Sequence, residues 1–327
     1  MLFKCKNCGG NTVYAPDKGK MYCPHCESID SEEKVGGNSL VQCVNCGAPI
    51  QLSEYTSACR CEHCGTYLIF DERVEEPFKP GLILPFRVSR ELAVAHLEKE
   101  LKNRLFAPAD FLSAKSLEKM EGVYVPFWLY DYDANYDFAG EGTQIRTWRS
   151  GNMEYTETSY YEVGRKMEAD FERVPVDASY VMEDGVMDLM EPYRYQELTD
   201  FEPKYMSGFL SERYNQREDE LADRAEGKVR EASENLLQGS LTGYATVRPY
   251  HKNLRIHKKG TCYALMPVWQ YVYRYRDKTY QYHVNGQTGK VVGVTPVSRA
   301  KVLAYGASVF VMVTAICSLA VHVLEIL

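Results

Sequence analysis

The alternation of apolar and polar positions divides the chain into stretches of different period. Residues 302–324 (VLAYGASVFVMVTAICSLAVHVL) run 23 positions without a formal charge. At 1.5 Å per residue, about 20 apolar residues cross a hydrocarbon layer of about 30 Å. A buried core helix would carry a polar stripe, and here only Ser308, Thr314, Ser318 and His322 interrupt, so one transmembrane helix is expected. Upstream, Val94, Leu97, Leu101 and Leu105 fall 3, 4 and 4 apart. They predict a helix with Ser89 as N-cap, ending near residues 106–108. Residues 204–239 set Phe209, Leu210, Tyr214, Leu221, Ala225, Val229, Ala232 and Leu236 mostly 3 and 4 apart. This predicts a long amphipathic helix whose apolar face is read as intramolecular core ahead of a partner groove.

Elsewhere the period is two. Pro126, Trp128, Tyr130 and Tyr132 alternate along one segment, and the pattern recurs as Pro267, Trp269, Tyr271 and Tyr273. Each copy puts Trp and both Tyr on one face of a strand, which suggests two related sheet halves. After the second copy, Tyr280, Tyr282 and Val284 lead into Asn285-Gly-Gln-Thr-Gly289 and then residues 290–293. That is a hairpin, with Asn-Gly and Gly supplying the positive φ of the turn. The fold class expected is α+β, with an antiparallel sheet and helices forming the body.

Cysteines change the picture at the other end. Cys5, Cys8, Cys23 and Cys26 are spaced C-x2-C-x14-C-x2-C, and Cys43, Cys46, Cys61 and Cys64 repeat that spacing 38 residues later. A Cys-x-x-Cys knuckle places two thiolates on one metal ion, and a second knuckle brought opposite by a hairpin closes a tetrahedral four-cysteine site. Two zinc ribbons, each holding one Zn²⁺, are therefore expected. Four thiolates fill the coordination sphere and leave no position for substrate, so the sites are structural, and metal binding supplies folding energy to modules of this size. Gly9, Gly47 and Gly65 follow the second cysteine of their knuckles, where positive φ is needed; Glu27 stands at the fourth such position. His25 and His63 precede the last cysteine of each quartet, but four cysteines already satisfy each ion. Cys59 lies out of register and is read as a spare thiol. A disulfide framework is disfavoured by the odd cysteine total of 11, the paired spacing and the lack of a secretory leader in MLFKCKNCGG.

Charge and motifs exclude several functions. The formal net charge is −7, and residues 1–70 hold six Lys and Arg against seven Asp and Glu. The ribbons thus lack the basic footprint of a phosphate-binding surface, and nucleic acid is not the expected partner. Gly19-Lys20, Gly227-Lys228 and Gly289-Lys290 are followed by Met or Val, so none completes a phosphate-binding loop. Asp131, Asp133 and Asp137 alternate with tyrosines as a solvated strand face would. His96 has only Glu100 at helical spacing, and Cys262 has no histidine partner in sequence. No catalytic residue and no further cofactor site is assigned, and the chain is not expected to be an enzyme.

The paired ribbons, the Gly122-Val-Tyr-Val-Pro-Phe-Trp128 segment, the Val284–Lys290 hairpin and the apolar terminal stretch resemble the bacterial TFIIB-type zinc ribbon-containing membrane proteins, including one linked to a phage-shock operon in bacilli. The likeness covers most of the chain, with Glu27 in a knuckle-glycine position as a small departure. It implies a membrane-associated adaptor that recruits phage-shock or flotillin-like scaffold proteins under envelope stress. The expected organisation is ribbon 1 over residues 1–35, ribbon 2 over 36–74, a cytoplasmic α+β domain over 80–300 and a transmembrane helix over 302–324. Residues 31–38 and 71–80 are expected as linkers that leave the ribbons semi-independent. Arg299 and Lys301 flank the apolar stretch, which would keep the N-terminal domains in the cytoplasm and leave a single-pass tail anchor in the cell membrane. The expected partners are other proteins at that membrane, with lipid around the span. The rival reading is a membrane-tethered nucleic-acid-binding ribbon protein.

Overall fold

The structure is a computed structural model. It describes residues 1–36, 41–102, 104–108, 111, 117, 119–182 and 184–326, and the side chains up to residue 319. Gly37 and Asn38 of the expected connector, and the side chains of residues 320–324 of the apolar stretch, lie outside the described set.

The first ribbon consists of β1 (Leu2–Cys5), β2 (Val13–Ala15), β3 (Lys20–Tyr22) and β4 (Glu32–Val35), and the second contributes β5 (Thr56–Arg60) and β6 (Tyr67–Ile69). The body then runs β7 (Leu82–Ile83), α1 (Arg90–Leu101), β8 (Glu121–Ser150), β9 (Met153–Asp177), α2 (Asp184–Met190), β10 (Thr199–Asp200), β11 (Leu210–Glu212), α3 (Glu218–Ser240), β12 (Thr246–Tyr275), β13 (Lys278–Asn285) and β14 (Val291–Gly293), with α4 (Arg299–Ile326) last. The architecture is α+β, as the periodicities predict.

Three long strands organise it. β8 pairs antiparallel with β9 on one side and with β12 on the other, and shorter strands extend the sheet in the order β10-β7-β12-β8-β11-β5-β6. Most pairings are antiparallel, but β11 joins β8 and β7 joins β12 in parallel. The two Pro-x-Trp-x-Tyr-x-Tyr segments lie on neighbouring strands rather than in separate halves. Trp128 stands opposite Tyr263 and Trp269 opposite Gly122, so both tryptophans share one sheet face. Tyr124, Trp269, Tyr271 and Tyr273 pack there with Leu97, Leu101 and Phe111, while Val123, Val125, Phe127 and Val268 face Met187 and Met190 of α2 on the other side.

Helix α1 starts where expected, with the Ser89 hydroxyl accepting from Leu92 N at 3.3 Å. Its buried face is Ala93, Leu97 and Leu101, and Leu105 lies beyond its end, exposed. The second helical expectation needs correction. Residues 204–217 do not belong to the long helix: 203–206 form a 3-10 turn, β11 follows, and α3 begins only at Glu218. Phe209 and Tyr214 keep their apolar role by entering the sheet core. Leu221, Ala225, Val229, Ser233 and Leu237 form a strict four-residue stripe against Tyr130, Tyr132, Tyr136 and Phe138 of β8, so the helix packs on the body as expected, but Ser233 and Leu237 take the buried places expected for Ala232 and Leu236, and Leu236 is exposed. Arg224 and Lys228 on its flank bind Asp177, Asp188 and Glu191 at 2.7–3.0 Å, fastening α2 to α3.

The hairpin at residues 285–289 forms as expected, but its glycines differ in role. Gly289 supplies the positive φ of +79°. Gly286 does not; a Cβ there would lie 2.6 Å from the Phe86 ring and 2.7 Å from Pro267, so it permits close packing instead. Asn285 Oδ1 accepts from the amides of Gln287 and Thr288, both at 2.9 Å, the side-chain turn that favours asparagine at this position. His96 is exposed and lies over Gly289.

The segments expected as linkers are structured. Residues 32–35 pair with residues 2–5 as β4 on β1, and residues 71–73 form a 3-10 turn with Asp71 and Val74 buried. The ribbons are also built into the body. β5 pairs with β11, Tyr14 N donates to Ser207 O at 2.8 Å, and the Ser207 hydroxyl donates to Thr12 O at 2.7 Å. Phe3, Tyr14, Met21, Ala58 and Ile69 of the ribbons share one buried cluster with Tyr124, Phe209 and Trp269. The physical reason is the apolar residues between the knuckles, which a ribbon this small cannot cover alone.

Candidate metal centres

Each knuckle is a tight turn closed by two backbone bonds. In the first, Cys5 N donates to Gly10 O at 2.7 Å and Gly9 N to Cys5 O at 2.8 Å. The same pair of bonds recurs at Cys23, Cys43 and Cys61. The residue after the second cysteine takes positive φ in every case: Gly9 at +71°, Gly47 at +75°, Gly65 at +70° and Glu27 at 61°. Glycine pays no steric cost there, whereas Glu27 holds a left-handed conformation against its own Cβ.

These turns aim the thiols inward. Within each quartet all four Sγ atoms lie within 4.8 Å of one another. Cys5 to Cys26 and Cys8 to Cys23 measure 3.6 Å, Cys43 to Cys64 3.7 Å, and Cys46 to Cys61 3.8 Å. Tetrahedral coordination at a Zn–S length of about 2.3 Å sets sulfurs about 3.8 Å apart, so the two clusters fit one zinc ion each. A bound ion would supply structural cross-linking. The first cysteine of each knuckle is buried and the second exposed, which places each site at the ribbon surface. His25 and His63 are exposed and lie outside the thiol clusters. Cys59 sits within β5, paired opposite Leu68, where burial pushes its thiol up to about 11. Cys262 is half-buried beside Gly81, its thiol raised by burial.

Polar residues around the sulfurs complete the sites. The Ser28 hydroxyl lies 3.0 Å from Cys5 Sγ and 3.2 Å from Cys26 Sγ, and this contact draws the Cys5 thiol down to about 6. Thr66, in the equivalent place of the second ribbon, lies 3.3 Å from Cys64 Sγ. Its oxygen accepts from Asn45 Nδ2 at 3.1 Å and from Asn11 Nδ2 at 2.8 Å, and Lys4 Nζ donates to Asn45 Oδ1 at 2.8 Å. Asn11 and Lys4 belong to the first ribbon, so this network joins the two centres. Sequence reasoning missed these residues, although part of the signal was present: Asn7 and Asn45, and Ser28 and Thr66, repeat in the 38-residue register of the cysteines.

The aspartates on β8 form no site of this kind. Asp131 Oδ1 accepts from Arg173 N at 2.7 Å at a bulge between β8 and β9, and Asp133 pairs with Lys259 at 2.9 Å. They serve the strand register and the solvated sheet face.

Comparison with known proteins adds one relationship. Uncharacterized protein YdjG of Bacillus subtilis (strain 168) is 32% identical over 315 residues, which cover 93% of this chain and 92% of that protein. The chain belongs to the YdjG family. No family profile matches the chain, and no solved structure matches it. The YdjG-like similarity extends over the ribbons and the body together, in keeping with their common core.

The other candidate functional element is α4. Among the described residues it is the one helix long and apolar enough to cross a bilayer, over Arg299–Leu319, and none of that stretch is buried against the rest of the protein. Leu303, Phe310, Val311 and Leu319 are 66–73% exposed. A core helix would bury such residues, so this exposure fits a single membrane span.

Proposed function

We propose that this protein is a membrane-anchored, non-enzymatic adaptor whose zinc ribbons present a rigid surface to other proteins, with scaffold proteins of the envelope-stress response (phage-shock or flotillin-like) as its partners. The observation that carries this reading is the welding of two closed four-thiol centres to the body through β5, β11 and the Tyr14–Ser207 contact. A closed centre offers no position for substrate, while a fixed platform suits recognition. Its surface exposes Ile29, Val35 and Val44, the kind of apolar contact that protein partners cover. The N-terminal domains face the cytoplasm in this reading, because free thiols persist in a reducing compartment and Arg299 and Lys301 stay on the inner side.

The test is purification of the full chain from native membranes in mild detergent, beside a Val35→Asp/Val44→Asp variant. The same protein partner should accompany the wild type and be lost from the variant, and full-length protein should resist extraction at high pH. Micromolar nucleic-acid binding that weakens with added salt, with no protein partner retained, would favour the nucleic-acid reading instead.

A further inference from the structure

Between β14 and α4 the chain crosses a groove of about 520 Å³ lined by residues 104–107 and 293–297. Leu105, Val294 and Val297 on its rim are 69%, 73% and 55% exposed. Arg104 is the one charged residue in the lining; it also reaches Glu100 at 3.8 Å. Lys102, Arg299 and Lys301 flank the same segments and are exposed. In a chain of net charge −7, this corner is apolar with a positive border.

Its position says what covers it. Ser298 N donates to Phe106 O at 2.7 Å, and the Phe106 ring meets Tyr305 of α4 edge-on with centroids 5.5 Å apart. The Tyr282 hydroxyl bonds Thr295. The groove is therefore fixed to the body on one side and to the first turns of α4 on the other. The uncharged run begins at Val302, so residues in contact with Ser298 and Tyr305 lie at the depth of the headgroups and upper acyl chains, where aromatic and basic residues anchor.

We propose that this corner is a lipid-binding surface that seats the body directly on the bilayer, with Leu105, Val294 and Val297 entering the acyl boundary and Arg104, Arg299 and Lys301 facing lipid phosphates. The proposal rests on the reading of α4 as a membrane span and deepens it: the span is not a loose tether, because the body lies on the membrane in one orientation.

The experiment reconstitutes the full chain in vesicles of phosphatidylethanolamine and phosphatidylglycerol that contain a phospholipid with a photoreactive group in its upper acyl chain. After irradiation, adducts are mapped by mass spectrometry. Adducts are expected on peptides covering 104–107 and 293–297 as well as on 302–319. In the variant Leu105→Asp/Val294→Asp/Val297→Asp, whose three positions are exposed, the loop adducts should fall to background while the helix adducts persist. Adducts confined to the helix in the wild type, or loop adducts that survive in the variant, overturn the proposal and leave the span intact. Absence of adducts from the helix itself overturns the membrane span, and the seating with it.

Discussion

Asn11 of the first ribbon donates to the Thr66 hydroxyl of the second at 2.8 Å, and that hydroxyl lies 3.3 Å from Cys64 Sγ. One hydroxyl thus touches a metal-binding sulfur of one centre while it is held by a side chain from the other ribbon. Groups that orient metal ligands in this way typically change metal affinity about 10- to 100-fold when removed.

Thr66→Val keeps the shape and removes the hydroxyl. It should accelerate loss of zinc from the second centre to a chelator by about tenfold or more, and Asn11→Ala should reproduce part of the effect although it belongs to the first ribbon. Stopped-flow chelation with a colorimetric indicator reads both. Equal rates for wild type and Thr66→Val would show that the hydroxyl does not support the centre.

Full-length protein should contain two zinc ions per chain by elemental analysis, and Cys5→Ser should contain one. The linker expectation would confine the damage to residues 1–35. The shared cluster of Phe3, Tyr14 and Met21 with Tyr124 and Phe209 leads to a different outcome: amide exchange should also rise in β11 and at the start of β8. Exchange that increases only within the first ribbon would argue that the two parts fold separately.

Glu27 occupies a left-handed conformation at φ 61° where the second ribbon has Gly65 at +70°. Glu27→Gly should stabilise the first ribbon by about 1 kcal/mol, the usual cost of that conformation for a residue with a Cβ. A chemical-denaturation midpoint that shifts upward supports this, and an unchanged or lower midpoint counts against it.

His283 on β13 is 3% exposed, and neither ring nitrogen has a hydrogen-bond partner among the described residues. Burial pushes its pKa down from 6.5 to about 4. The unfolded chain therefore takes up the proton first. The stability associated with a neutral His283 is fully present above about pH 6.5 and is lost as pH falls through 4, by up to about 3 kcal/mol. His283→Phe should flatten the fall in stability between pH 6.5 and 4.5 relative to wild type, as read by urea midpoints. Parallel pH profiles for the two proteins would rule His283 out as the cause.

The features legible in the sequence were those in which one residue type answers to one local force. Cysteine spacing located the thiol clusters, the Ser89 hydroxyl located the start of α1, and uninterrupted apolarity located α4. What escaped depended on contacts between distant segments. Phe209 and Tyr214 fit a helical spacing with Leu221, yet their rings are drawn into a core formed by β8, β12 and the ribbons, and this pull overrode helix formation before residue 218. The polar segments at 32–35 and 71–74 read as linkers because their partners, Leu2 to Cys5 for the first and the N-terminal amine and Lys34 for Asp71 of the second, are invisible to a local pattern. Likewise Asn11 and Thr66 are 55 residues apart, and only the folded arrangement shows that they meet.

The cluster that unites Tyr14 and Met21 with Tyr124 and Phe209 would couple the body's stability to any ion held by the ribbons. For an ion that binds only the folded chain, each tenfold fall in its free concentration above the dissociation constant removes about 1.4 kcal/mol per site from the folding free energy. With separate modules that loss would be confined to the ribbons. With a common core, loss of an ion from either thiol cluster would loosen the long sheet as well as the ribbon that held it.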